Sequence, residues 1–244
     1  VLWGTPTADA DGVAIAVPTP VKFAALQDIG MDISFTSKSL YGSKQFPLAV
    51  GRGMGSIKCK AKFANINGTM LNNIFFGQTL ASGIRTDYQD LTGAAIPGTP
   101  FTITVVPPAS GVWAADLGVT KADGTSFTRV AAAPAVGQYS VAAGAYLFNT
   151  GDTGTVVYIS YNYTATSTTA QKQTVTNRQL GYQPTFVADL IVPYNNKVLT
   201  VKLYSCIAQK LGFATKLDDF LVPDFEFEGF EDGSGNVMDW SVTN

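Results

Sequence analysis

Apolar and polar residues alternate along much of this chain with a period of two, the signature of strands that bury one face. The alternation runs through Ile33–Thr36, Ile57–Phe63, Val156–Tyr163, Val198–Tyr204 and Phe225–Phe227, stretches rich in Val, Ile, Thr, Tyr and Phe. Turn formers lie between them: Pro107–Pro108, Asp123–Gly124, Asn195–Asn196 and Asp232–Gly235. Val187–Pro193, Asn195–Asn196 and Lys197–Tyr204 together predict one long hairpin with a tight turn. One segment departs from the pattern. Asn67–Phe76 carries Met70, Leu71, Ile74 and Phe75 at helical spacing, with Asn67 placed as N-cap and Gly77 as the stop. That stripe should dock on a sheet. A second, weaker helical turn is expected around Ala214–Phe220. The fold class that follows is all-β: a sandwich or barrel of antiparallel strands, with one short flanking α-helix covering an open end or face.

The composition shifts near Thr92. Between 92 and 165 Ala, Gly, Thr, Val and Pro dominate, and the charged residues are Asp116, Lys121, Asp123, Arg129 and Asp152. Short strands are expected at Phe101–Val106, Phe127–Ala131, Gln138–Val141, Tyr146–Phe148 and Val156–Tyr163. Residues 1–91 and 166–244 are read as one β domain. Residues 92–165 form either a small inserted β subdomain or a set of long hairpin arms of that same domain.

Composition then narrows the function. Hydrophobic residues make up 46% of the 244, which excludes global disorder. Charged residues are only 14%, against about a quarter in an average soluble domain. Such a chain must hide surface, in a membrane or against other chains. No apolar run approaches the ~20 residues of a spanning helix, so membrane insertion is not expected and self-association is. No basic segment followed by a hydrophobic run opens the chain, so no export signal is expected. Histidine is absent, which removes Ser-His-Asp and Cys-His catalysis and the commonest zinc ligand sets. Cys59 and Cys206 lie far apart, and buried thiols are expected rather than a bridge. A net charge of −2 gives no general affinity for nucleic acid. No cofactor or metal is expected.

Three patterns deserve a chemical reading. Asp224, Glu226 and Glu228 alternate with Phe225 and Phe227, so on a strand the acids face one way, about 6.6–6.8 Å apart. That spacing suits a glycosidase acid pair, but the stronger reading is a solvated or pore-facing strand face. Gly51–Arg52–Gly53–Met54–Gly55 superficially resembles a phosphate loop; it lacks the Lys-Ser/Thr ending and a following helix, so a flexible loop is expected. Lys58, Lys60 and Lys62 alternate with apolar residues and make a basic strand face, solvated or at an interface.

Charge placement says more than any motif. Between Ser37 and Ala64 there are six cations and no acid, whereas Leu211–Asn244 carries Lys216 against eight acids. These patches could pair head to tail between copies, giving rings or filaments. Alternatively they neutralise each other within one subunit.

The run Val21–Phe23, Leu26–Gly30, Ser34–Phe35, the Tyr41–Pro47 loop, the basic strand and Phe63–Gly77 resembles the tail tube (major tail) proteins of long-tailed bacteriophages. The Val198–Ala208 strand, the Lys216–Phe220 turn and the Asp224–Val242 hairpin resemble the end of the same proteins. Gly137–Val141 and Ile159–Tyr163 look like a β module of phage structural proteins. The resemblance implies a tail-tube-like fold of two packed antiparallel sheets with a flanking helix. It implies hexameric rings whose inner sheets join into a channel, stacked into a tube around a tape-measure protein and closed by tail-end proteins. Double-stranded DNA would pass through without specific binding, and the subunit would assemble in the host bacterial cytoplasm and reside in the virion tail. The long loop at about Ser37–Arg52 would reach the next ring. Lys38, Leu40, Tyr41, Lys44, Phe46, Pro47 and Arg52 are the candidate stacking residues, apolar anchors rimmed by cations. A hairpin folded back on its own domain is the alternative for that segment. For the whole chain the alternatives are a phage head decoration or adaptor protein, and a secreted glycan-active or glycan-binding β-sandwich. Catalytic residues are expected to be absent.

Overall fold

The computed structural model describes residues 1–23, 25–64, 68–213 and 222–243. The protein is all-β, with antiparallel sheets and, among the described residues, one short helical segment besides the 3-10 turns at Pro108–Ser110 and Thr150–Asp152. Its backbone divides into two compact units, Val1–Leu80 with Gln173–Asn244, and Ala81–Lys172. The second unit extends past residues 92 and 165 because Ala81–Ser82, Ile84–Tyr88 and Gln171–Lys172 pair within it. Asn67 and the Ala214–Phe220 turn lie outside the described residues.

The chain opens with β1 (Leu2–Ala8), β2 (Val21–Lys22), β3 (Leu26–Tyr41) and β4 (Pro47–Phe63), followed by α1 (Gly68–Leu71) running into a π-helical turn at Asn72–Phe76. The second unit holds β5 (Ala81–Ser82), β6 (Ile84–Tyr88), β7 (Ala94–Ala95), β8 (Thr102–Thr104) and β9 (Val112–Lys121). It continues with β10 (Thr128–Arg129), β11 (Gln138–Ala142), β12 (Ala145–Phe148), β13 (Val156–Ala165) and β14 (Gln171–Lys172). The chain returns through β15 (Thr185–Tyr194), β16 (Lys197–Gly212), β17 (Asp224–Phe230) and β18 (Met238–Val242).

The first unit is built on one eight-stranded sheet in the order β2-β1-β15-β16-β17-β4-β3, with β18 also on β16. Among the described residues its strands form this single sheet rather than two packed ones. The sheet instead curls over its own core. Five strand spacings separate β2 from β4, about 24 Å in a flat sheet. Yet Phe23, just after β2, meets Phe63, at the end of β4, with ring centroids 6.1 Å apart. Bulges in the β1–β15, β15–β16 and β16–β17 pairings bend the strands enough to bring them together. Phe186, Phe225 and Phe227 complete the aromatic core. The β15–β16 hairpin closes on Asn195 and Asn196, both at positive φ (46° and 63°), as a two-residue turn requires.

The helical segment closes the core face. Met70 and Ile74 are buried, and Leu71 and Phe75 pack partly buried against the same cluster. The last turn is wider than α because Gly77, at φ 60°, donates its N–H to the Asn72 carbonyl, and the buried Asn72 side chain ties down Gln78 through both its main-chain groups. Ile74 sits so close to β1 that a Cβ on Gly4 would lie 2.7 Å from it, which is why that strand carries glycine there.

In the second unit, the β10-β11-β12-β8 sheet and the sheet of β6, β7 and β9 around β13 share a core of Tyr139, Tyr146, Phe148, Val157, Ile159 and Tyr161. The pairings are antiparallel except for a two-residue parallel match of β10 with β11. A buried carboxylate, Asp116, accepts from Tyr139 Oη at 2.6 Å and Tyr146 Oη at 3.1 Å. These bonds satisfy its charge and knit the two sheets together.

Candidate assembly surface

The Ser37–Arg52 segment, expected as a loop, is the far end of a β-hairpin. β4 pairs with β17 only over Ile57–Lys62, so from Ser34 to Ser56 the two arms pair only with each other among the described residues. Ladder pairing continues from Ser37–Arg52 to Tyr41–Pro47. Ser34 to Tyr41 at ~3.4 Å per residue makes a ribbon about 24 Å long. Gly51–Gly55, expected as a flexible loop, therefore lies within β4. Glycine serves there as a seat: a Cβ on Gly55 would lie 2.9 Å from the Phe35 ring. The Arg52 guanidinium lies over the same Phe35 ring, 4.5 Å from its centroid.

The hairpin presents apolar side chains that the described residues leave exposed. Leu40, Tyr41, Leu48, Val50 and Met54 are all exposed, and Phe46 at the tip is 81% exposed. Pro47 is half-buried at the turn. Between Ser34 and Ser56 the charged residues are Lys38, Lys44 and Arg52, all cations. Among the described residues none of them has an acid at ion-pair distance. Exposed apolar residues on this scale, concentrated on one hairpin, make it the candidate interaction surface. Leu48 is a further anchor that the sequence offers at the tip, Ile33 and Phe35 were legible only as strand residues, and Val50 and Met54 escaped the sequence reading. The signal was available in the hydrophobic positions of β3 and β4, which continue beyond what one sheet can bury.

The acidic strand stands elsewhere, against the basic one. Register sets Asp224 beside Lys62, Glu226 beside Lys60 and Glu228 beside Lys58, with Phe225 and Phe227 buried on the opposite face. Lys60 Nζ lies 3.3 Å and Lys210 Nζ 3.4 Å from Glu226, and Lys62 Nζ lies 3.7 Å from Asp224. Glu228 accepts from Ser56 Oγ at 3.1 Å and from Gln209. On the other flank of the lysines, β3 sets Asp28 beside Lys62 and Asp32 beside Lys58. The result is a ladder of alternating sign, so these parts of the basic and acidic patches neutralise each other inside one subunit. The hydrogen bond from Lys60, aided by the Lys210 charge, holds the Glu226 carboxyl below the usual carboxylate range. A general acid needs the opposite shift.

Cys59 and Cys206 are free, buried thiols of the first unit's core. Burial, reinforced by the Asp32 charge, pushes the Cys59 thiol up to about 12, and burial raises Cys206 as well. Among the described residues no group of acids and cysteines is placed to hold a metal ion, and no helix is long and apolar enough to cross a membrane. No family model matches the chain, and no curated protein sequence matches it.

Proposed function

We propose that this chain is a structural subunit of a phage tail tube, a non-enzymatic protein that assembles into stacked rings around a channel for the genome. The observation that carries the reading is the β3–β4 hairpin: a two-stranded, cation-bearing ribbon whose apolar side chains the described residues leave exposed. A monomer gains nothing from such a projection, whereas a stacking subunit uses it as an arm. Two further features support self-assembly. Among the described residues the sheet ends in the unpaired edges of β3 and of short β2, which ring closure would pair. The charge content is low for a protein that meets water on all sides. Partners follow from the reading: other copies of the chain, a tape-measure protein, tail-end proteins, and DNA that slides past a balanced charge ladder instead of binding it.

Deleting Tyr41–Phe46 tests the role of the arm. The shortened ribbon should leave the sheet folded, with an unchanged circular dichroism spectrum, and abolish stacking of rings. A deletion variant that still stacks into tubes removes the arm from assembly. A head decoration or adaptor protein would give small closed oligomers and never tubes. A glycan-active protein would stay monomeric and bind or cleave sugar polymers.

A further inference from the structure

The end of the β3–β4 hairpin is apolar on every side. Leu40 and Tyr41 are consecutive strand residues and so point to opposite faces of the ribbon. Val50, opposite Ser39, shares the Tyr41 face, and Phe46 and Leu48 stand at the turn. All five are exposed. A protein face laid along the ribbon covers one side of it, whereas the apolar layer of a bilayer surrounds an inserted end. A second hairpin leaves the sheet at the same end. β4 and β16 are both antiparallel to β17, so they run in one direction, each starting from a hairpin turn there. Val192 and Tyr194 beside the β15–β16 turn are exposed too.

The cations stand where an apolar layer would meet water. Lys38 lies on the Leu40 face, two residues back or about 7 Å. Arg52, opposite Ser37, lies behind Tyr41 with its guanidinium over the Phe35 ring. Elements seated in a membrane interface bury their apolar side chains about 5–10 Å deep, which sets Lys38 among the lipid headgroups and Arg52 just outside them. Lys44, in the turn, has a stem long enough to carry its charge back to the same level. Between Ser34 and Ser56 there is no acid to oppose an anionic surface. We infer that this hairpin end binds anionic bilayers: Leu40, Tyr41, Phe46 and Leu48 seat among the acyl chains while Lys38, Lys44 and Arg52 face lipid phosphates and carboxylates. The contact is interfacial and involves no spanning segment. In solution a free subunit gains nothing from an exposed apolar end; at a membrane surface it gains both kinds of contact. The inference stands apart from the tube reading, and a second copy seated on the same tip would compete with the bilayer.

Flotation with vesicles tests it. Full-length protein, below the concentration at which it assembles, is floated with vesicles of phosphatidylcholine alone or with about 30% phosphatidylserine added. The wild type should bind the anionic vesicles about tenfold or more better than the neutral ones. Each cation near an anionic surface is worth about fivefold, so Lys38→Glu/Lys44→Glu should weaken binding by about 25-fold or more. Arg85→Glu/Lys172→Glu makes the same change in net charge on exposed residues of the second unit and should stay within about threefold. Leu40→Ser/Leu48→Ser should weaken binding about tenfold or more and melt as the wild type does, since both leucines are exposed. A Tyr41→Trp variant should lose fluorescence to lipids brominated along their acyl chains. No flotation of the wild type, equal flotation with both vesicles, or an equal loss in the second-unit pair overturns the inference. Binding that survives Leu40→Ser/Leu48→Ser without quenching of Tyr41→Trp overturns the seating of the tip. Vesicle binding is read on unassembled protein, so its failure leaves the assembly arm standing, and a chain that never forms tubes leaves the vesicle result standing.

Discussion

Replacing Phe46 with alanine separates folding from assembly more sharply than any other single change. A phenylalanine side chain carries about 150–250 Å² of surface. With Phe46 81% exposed, most of that area is available to a neighbour. At about 25 cal/mol per Å² its burial is worth an upper limit of about 3–5 kcal/mol, and aromatic anchors at interface centres lose about 2–4 kcal/mol on truncation. The free subunit gains almost none of this, and surface changes of this kind move stability by about 0.5 kcal/mol or less. Thermal unfolding of the dilute subunit should therefore not move. The concentration at which light scattering first reports assembly should rise by about 30-fold or more, since about 1.4 kcal/mol is tenfold. A melting temperature several degrees lower with assembly intact would refute the reasoning, because Phe46 would then be packing within its own subunit.

Other outcomes test the core and the charge ladder. Ile74→Ala should cost about 2–5 kcal/mol in urea unfolding, and more than Phe75→Ala, because Ile74 is 1% exposed and Phe75 only half-buried; equal costs would contradict the docking of the π-turn. Cys59 and Cys206 should ignore a thiol-specific reagent at pH 8 in the native protein and both react in denaturant, since burial holds them as neutral thiols; rapid native labelling would contradict that environment. Changing Asp224, Glu226 and Glu228 together to glutamine leaves Lys58, Lys60 and Lys62 without their immediate neighbours on β17. The variant should assemble but retain double-stranded DNA at low salt, where the wild type does not, and release it as salt rises. Equal retention by both proteins would show that the ladder does not set the charge of that face.

The strands with clean alternation were legible because one face is buried and the other more exposed: β13 follows the period residue by residue, and β17 does so from Asp224 to Glu228. β9 was not, although it is the main partner of β13. Register shifts at Ser160–Tyr161 and Asn162–Tyr163 break its period, and its Ala, Gly and Asp residues read as loop. β1 hid for a different reason. Of its buried positions Leu2, Gly4 and Pro6, the last two are a small and a turn-forming residue, and at Gly4 the close approach of Ile74 and Phe23 leaves no room for a Cβ. The helical stripe was visible at Met70, Leu71, Ile74 and Phe75, but its widening into a π-turn depends on the Asn72 and Gly77 hydrogen bonds, which spacing does not encode. The opposed charges of β4 and β17 were visible too. Whether they met within one subunit or between two was a matter of strand order, and only the β4–β17 register decides it. The hairpin was marked by its anchors and cations, while its glycines and its length made a ribbon look like a loop.

Negative-stain imaging of the purified full-length chain across a concentration series asks the most direct question of all. A subunit that stacks through its hairpin should give tubes of uniform width that lengthen with concentration, their number falling only partly in high salt because the contact is apolar at its centre and charged at its rim. Single particles or small closed oligomers at every concentration, with the hairpin intact, would contradict a tube-forming role.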